Sequence, residues 1–194
     1  MNFSRFLILM TGLLMMGFAN SLLLHAHLGS SSWTVFADGL SRHLDITVGS
    51  ATFLISSLVF LLWIPIKQKP GIGTILNIVV TAVAVDVGYA IFPDVNNKPV
   101  LQGLYIFSAI LLGGGGGALY ITCRLGLGPR DGLAIGVNEK YGISISRIRL
   151  SIEVTVLAIG ILLGGKFGIG TILVSLFVGG SLAIWLNMMG ILGN

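Results

Sequence analysis

Leu125-Gly126-Leu127-Gly128-Pro129-Arg130-Asp131-Gly132-Leu133 is the stretch on which the reading of the fold turns. It lies between two long apolar segments. Gly126 and Gly128 allow tight or left-handed backbone. Pro129 suits the first turn of a helix, where its missing N–H costs nothing. Its counterpart, Leu28-Gly29-Ser30-Ser31-Ser32-Trp33-Thr34, stands 97 residues earlier. The two read as the openings of paired short helices in a membrane protein built from two repeats.

Working outward, the chain of 194 residues is 55% hydrophobic and 9% charged. Soluble domains carry about 25% charged residues, so this chain has too little polar surface to cover itself in water. Its apolar stretches approach the roughly 20 residues needed to cross a bilayer. The lipid bilayer is therefore its first partner. The net charge of +4 sits in a few loops and is no mark of nucleic-acid binding. The single cysteine, Cys123, cannot form a disulfide within the chain.

Six apolar segments are predicted, over about 6–24, 48–66, 71–92, 101–122, 146–164 and 171–190. Sliding the chain by 97 aligns its halves without a gap. Gly71-Ile72-Gly73-Thr74-Ile75-Leu76 then falls on Gly168-Ile169-Gly170-Thr171-Ile172-Leu173, an identical run. This divides the chain into a first repeat, 1–97, and a second, 98–194. Between the first two segments of each lies a short amphipathic element. Residues 32–44 place Trp33, Phe36, Leu40 and Leu44 on one face, and 129–141 place Leu133, Val137 and Tyr141. About 13 residues span only about 20 Å as a helix, short of the roughly 30 Å hydrocarbon core. These are re-entrant or interfacial helices.

Three crossings per repeat require the second repeat to be inverted. With the N-terminus inside, Arg5, Lys67, Lys69, Arg124, Arg130, Lys140, Arg147 and Arg149 fall inside, and Arg42, Lys98 and Lys166 outside. That bias follows the positive-inside rule and predicts both termini cytoplasmic. The fold expected is an all-α polytopic inner-membrane protein of six transmembrane helices in two inverted three-helix repeats.

The Gly-Leu-Gly-Pro-Arg-Asp-Gly-Leu run, the downstream Tyr141-Gly142-Ile143-Ser144 and the doubled Gly-Ile-Gly-Thr resemble the bacterial YczE/YyaS/YitT-type membrane proteins. The resemblance covers nearly the whole chain. It implies a small polytopic inner-membrane protein and no defined biochemical activity.

Candidate site residues follow from physical chemistry. Free amides at a helix start carry partial positive charge and hold anions. Gly126, Gly128, Arg130 and Asp131 thus read as an anion or carboxylate site. The alternative is a folded loop with Arg130 paired to Asp131 or Glu139, or facing lipid headgroups. Ser30, Ser31 and Ser32 offer hydroxyl ligands to the same cavity, or simply cap the helix. Glu153 and Asp86 are the acids deepest in apolar segments, where acids often serve ion or proton pathways. Structural alternatives are an Arg149 partner for Glu153 and an outer-water position for Asp86. Thr74 and Thr171 read as helix caps. Gly113 to Gly117 reads as a close helix approach or a hinge. His25 and His27 lack the further ligands of a metal site. No metal, cofactor or catalytic set is expected, and the chain is not read as an enzyme. The expected function is a small permease or channel for a small polar, anionic solute, with Glu153 coupling any proton. The alternative is a non-transporting membrane chaperone or regulatory partner of another complex. A homodimer fits either.

Overall fold

The computed structural model describes residues 3–190. These residues form helices α1 (Phe3–Ala26), α2 (Ser32–Leu44), α3 (Val48–Leu61), α4 (Trp63–Ile66), α5 (Ile72–Ile91), α6 (Pro99–Cys123), α7 (Pro129–Tyr141), α8 (Ile145–Leu162) and α9 (Ile169–Met188). The expected short elements are α2 and α7. The second apolar segment breaks at Leu62 into α3 and the one-turn α4. The starts of α2, α3, α5 and those of α7, α8, α9 are each 97 residues apart.

Among the described residues five helices are long and apolar enough to cross a membrane: α1, α3 with α4, α5, α6 and α9. The sixth expected crossing, α8, has 18 residues but carries Arg147, Arg149 and Glu153. Those three charges lower its apolar character below that of the others.

Small residues set the closest helix contacts. A Cβ on Gly12 would lie 2.8 Å from the Gly116 carbonyl oxygen, and one on Gly116 would lie 2.6 Å from that of Gly12. This brings α1 and α6 together. A Cβ on Gly17 would meet Ala84 of α5 at 2.3 Å, and one on Gly114 would meet Ser181 of α9 at 2.3 Å. Residues 113–117 are unbroken helix inside α6, so the run works by close approach.

The two identical hexamers show why they are identical. Irregular backbone at membrane depth is tolerated only where protein satisfies its polar groups. The Gly73 N–H donates to the Leu125 carbonyl at 2.8 Å, and the Gly170 N–H donates to the Leu28 carbonyl at 2.7 Å. Each hexamer thus carries the loop that precedes the other half's short helix. A Cβ on Gly71 would stand 2.3 Å from Leu125 O, and one on Gly168 would stand 2.4 Å from Leu28 O. The loop glycines Gly29 (φ +99°) and Gly126 (φ +137°) take backbone that L side chains rarely adopt. Thr74 and Thr171 accept from the N–H groups of Gly71 and Gly168. Both are therefore third-position residues reaching back to the helix start. Thr74 also donates to Leu127 O at 2.7 Å.

The faces of the short helices differ from the amphipathic reading. Trp33, Phe36 and Leu40 join one apolar cluster with Ile55, Val59 and Val156, but Leu44 is exposed. Asp38 and Ser41 are buried in place of it. In α7 the buried set is Pro129, Gly132, Ala134 and Gly136, while Tyr141 is exposed. Contact favours the small-residue face because Trp63 fills the space over Gly132 and Ile66 the space over Gly136.

Candidate functional site

Both short helices begin without a side-chain cap. Ser31 occupies the N-cap position of α2 and Gly128 that of α7, and neither gives a capping hydrogen bond. The Ser31 hydroxyl instead meets Thr34 Oγ1 at 2.8 Å and donates to Asn20 Oδ1 at 3.3 Å. Thr34 donates to the same Asn20 oxygen at 2.8 Å. The first helical amide to reach a backbone carbonyl is Val35 in α2 and Gly132 in α7. The amides before them keep their partial positive charge.

The two starts meet. The Arg130 guanidinium lies over the Trp33 ring, 4.4 Å from its centroid. Residues 33 and 130 are 97 apart, so equivalent positions of the two halves touch each other. Among the described residues the ion pairs are Arg42–Asp38 and Arg149–Asp131, and His27 is hydrogen-bonded to Asp94. Arg130 belongs to none of them, and neither Asp131 nor Glu139 is its ion-pair partner. Trp33 is nearly fully buried, and its indole N–H donates to Glu153 Oε1 at 3.0 Å. Glu153 is therefore held beside the Trp33–Arg130 stack. Arg149 is engaged with Asp131.

A cavity of about 320 Å³ opens at the start of α7, lined by Tyr120, Ile121, Arg124, Gly126, Leu127, Gly128 and Asp131. It gathers three of the expected residues: Gly126, Gly128 and Asp131. Tyr120 was not read from the sequence. It is 5% exposed, and its buried hydroxyl has no hydrogen-bond partner among the described residues. A lone aromatic in an apolar segment gives no signal of polar work.

Ser30 is elsewhere. It lines a cavity of about 40 Å³ with His27, Gly29, Asp38, Arg42 and Lys166, among others. Ser32 is buried in the first turn of α2. The single cavity expected to take Ser30, Ser31, Ser32 and Arg130 is thus replaced by two separate cavities, and neither Trp33 nor Arg130 lines either of them.

Asp86 does structural work. Its carboxylate accepts from Thr47 Oγ1 at 2.6 Å and from the Gly49 N–H at 2.8 Å. It caps the start of α3 from a neighbouring helix. Outside the spans, Asp94 accepts from the Asn96 N–H and from His27, which in that order hold its carboxyl below the ordinary value.

The family model described as "Family of unknown function (DUF6198)" matches residues 3–187. An uncharacterized protein of Haemophilus influenzae is 38% identical over 189 residues, covering 94% of this chain and 83% of its own. The uncharacterized membrane protein YczE of Bacillus subtilis is 32% identical over 170 residues, covering 87% and 79%. The uncharacterized protein YyaS of the same organism is 26% identical over 165 residues, covering 84% and 82%. No solved structure matches the chain. With nearly all of its length matched, this chain belongs to the DUF6198 family, among whose YczE-type membrane proteins its glycine-rich helix starts had placed it.

Proposed function

We propose that this protein is a small membrane permease or channel for a small polar, anionic solute. The carrying observation is the meeting of two uncapped helix starts at equivalent positions, with Arg130 in no ion pair among the described residues. Holding an arginine in a re-entrant helix is costly, up to about 2.5–3.5 kcal/mol at the bilayer centre on insertion scales. A desolvated cation–π contact returns about 2 kcal/mol. A positive side chain at a helix start is unfavourable besides. An anion held by Arg130 and the free amides reverses both costs.

The same reading takes the protein as six crossings in two inverted repeats, 1–97 and 98–194, in the inner membrane with cytoplasmic termini. Reciprocal docking of each loop on the other half's hexamer supports it, as does the charge bias. For α8, 18 residues reach about 27 Å, and its two arginines in the first turns can snorkel to the interface. Glu153, hydrogen-bonded to Trp33, is the group to couple a proton to solute movement. No catalytic role is assigned to any residue.

The alternative, a non-transporting chaperone or regulatory partner, is favoured by one observation: Trp33 fills the space between the two starts. A thermal-shift panel separates the two. Purified protein is titrated with chloride, formate, acetate, sulfate and phosphate, alongside Arg130→Lys and Arg130→Ala. Saturable stabilisation by at least one anion, weakened in Arg130→Lys and absent in Arg130→Ala, is expected. Equal responses in all three remove Arg130 from the site, and no response in any favours the partner role.

A further inference from the structure

The two cavities are built from equivalent stretches of chain. Tyr120, Ile121, Arg124, Gly126 and Leu127 line one; Leu23, Leu24, His27, Gly29 and Ser30, each 97 residues earlier, line the other. The equivalent positions carry different side chains, Leu23 against Tyr120 and Ser30 against Leu127, and the spaces they enclose differ. One space is about 320 Å³ and the other about 40 Å³. Ligand sites run from about 300 to 1,000 Å³, while a water needs only about 10–15 Å³ of such volume. The first therefore admits a solute and the second only a few waters.

A specific set of contacts accounts for the difference. Lys166, in the loop between α8 and α9, donates from Nζ to His27 Nδ1 at 2.7 Å. His27 Nδ1 must then be the acceptor, so Nε2 carries the proton and donates to Asp94 Oδ2 at 2.8 Å. The Lys166 backbone N–H donates to the buried Asp38 carboxylate at 2.9 Å. Arg42 grips the same carboxylate from one turn along α2. Four chain segments are thus tied over Ser30. The other half cannot copy this. The position equivalent to Asp38 is Ile135, so the loop carrying Lys69 has no carboxylate there to bind.

We propose that the cavity beside Ser30 is a second port of the anion path, on the outer side and shut, and that the Lys166–His27–Asp94 chain with Asp38 is its latch. This rests on the permease reading above. The open cavity beside Tyr120 is the inner port, and the solute class is the same small anion. Both ports carry a base at one equivalent place, His27 outside and Arg124 inside.

The test needs no solute, so its failure is separable from failure of anion binding. In a Cys123→Ser background, Ser30→Cys and its equivalent Leu127→Cys are labelled with a membrane-impermeant maleimide. Intact cells expose the outer face and inverted vesicles the inner. Leu127→Cys should label quickly from inside and Ser30→Cys slowly from outside. Adding Lys166→Ala, an exposed position, should speed Ser30→Cys several-fold and slow Leu127→Cys. Asp94→Asn should act in the same direction, which guards against one variant failing to fold. Ser30→Cys labelling as fast as Leu127→Cys before the latch is cut, or unmoved by both latch variants, overturns the proposal. A faster outer rate with an unchanged inner rate overturns the claim that the ports belong to one path.

Discussion

Gly132→Ala puts the packing that positions Arg130 under direct test. Trp63 is 2% exposed, and its indole N–H donates to Pro129 O at 2.9 Å. The ring thereby holds the first turn of α7. A Cβ on Gly132 would stand 2.0 Å from Trp63 Cζ2 and 2.4 Å from Cη2. Those atoms belong to a rigid ring with no flexible end to yield. Forcing the methyl in costs about 1–3 kcal/mol by overpacking. Shifting the ring forfeits the bond to Pro129, worth about 0.5–1.5 kcal/mol net. Better helix propensity returns at most about 1 kcal/mol. The net loss is about 2 kcal/mol, read as an earlier unfolding midpoint in detergent. Gly179 and Gly180 have open space where a Cβ would stand, so Gly179→Ala is the control and should be neutral or slightly stabilising. In the double variant with Trp63→Ala the two losses should sum to less than their separate values, because the clash goes with the ring. Gly132→Ala unfolding no earlier than Gly179→Ala would refute the Trp63 contact.

Three further outcomes follow from the same geometry. Reporter fusions after Leu44 and after Gly142 should lie on opposite sides of the membrane, Leu44 outside; both on one side would contradict the inverted repeats. Asp86→Ala should lose about 1–2 kcal/mol of stability by leaving the Gly49 N–H and the Thr47 hydroxyl without their acceptor while Thr47 still caps α3, yet leave anion stabilisation intact; a lost anion response would give Asp86 a role in the site. Asp94 is held below its ordinary value of 3.8 by the Asn96 N–H first and His27 second. Its contribution is therefore present above that value and is lost as pH falls through the lowered one. The stability difference between the unaltered chain and Asp94→Asn should persist at about pH 5 and fade in stronger acid.

Much of the fold was legible because membrane constraints act on short stretches. Chain-bending glycines and Pro129 mark where α2 and α7 begin, and the break at Gly71 and Gly168 marks α5 and α9. The identical hexamers announced equivalence. They did not announce that each serves the opposite half, because self-comparison says which residues correspond and not which touch. The same gap hid the Trp33–Arg130 contact: correspondence in sequence gives no distance between the corresponding residues. Side-chain capping was one reading of Ser30–Ser32; Ser31 at the N-cap makes no such bond, and its hydroxyl lies instead with Asn20 and Thr34. Asn20, a lone amide in an apolar helix, was a usable sign of such a contact. Asp38 stands off the face of Trp33, Phe36, Leu40 and Leu44, where the sequence pattern gives no sign of burial, yet packing against the Lys166 loop makes it a buried acid with two donor residues. Tyr120 had no polar pattern around it to be found by.

Anion flux through Arg130 tests the central claim most directly. The purified chain is reconstituted in sealed vesicles, and efflux of each anion in the thermal-shift panel is followed for the unaltered chain, Arg130→Lys and Arg130→Ala. The account predicts saturable flux of at least one anion above that of empty vesicles, reduced in Arg130→Lys and lost in Arg130→Ala while all three remain folded. Flux no greater than that of empty vesicles for every anion, or flux indifferent to Arg130, would contradict it.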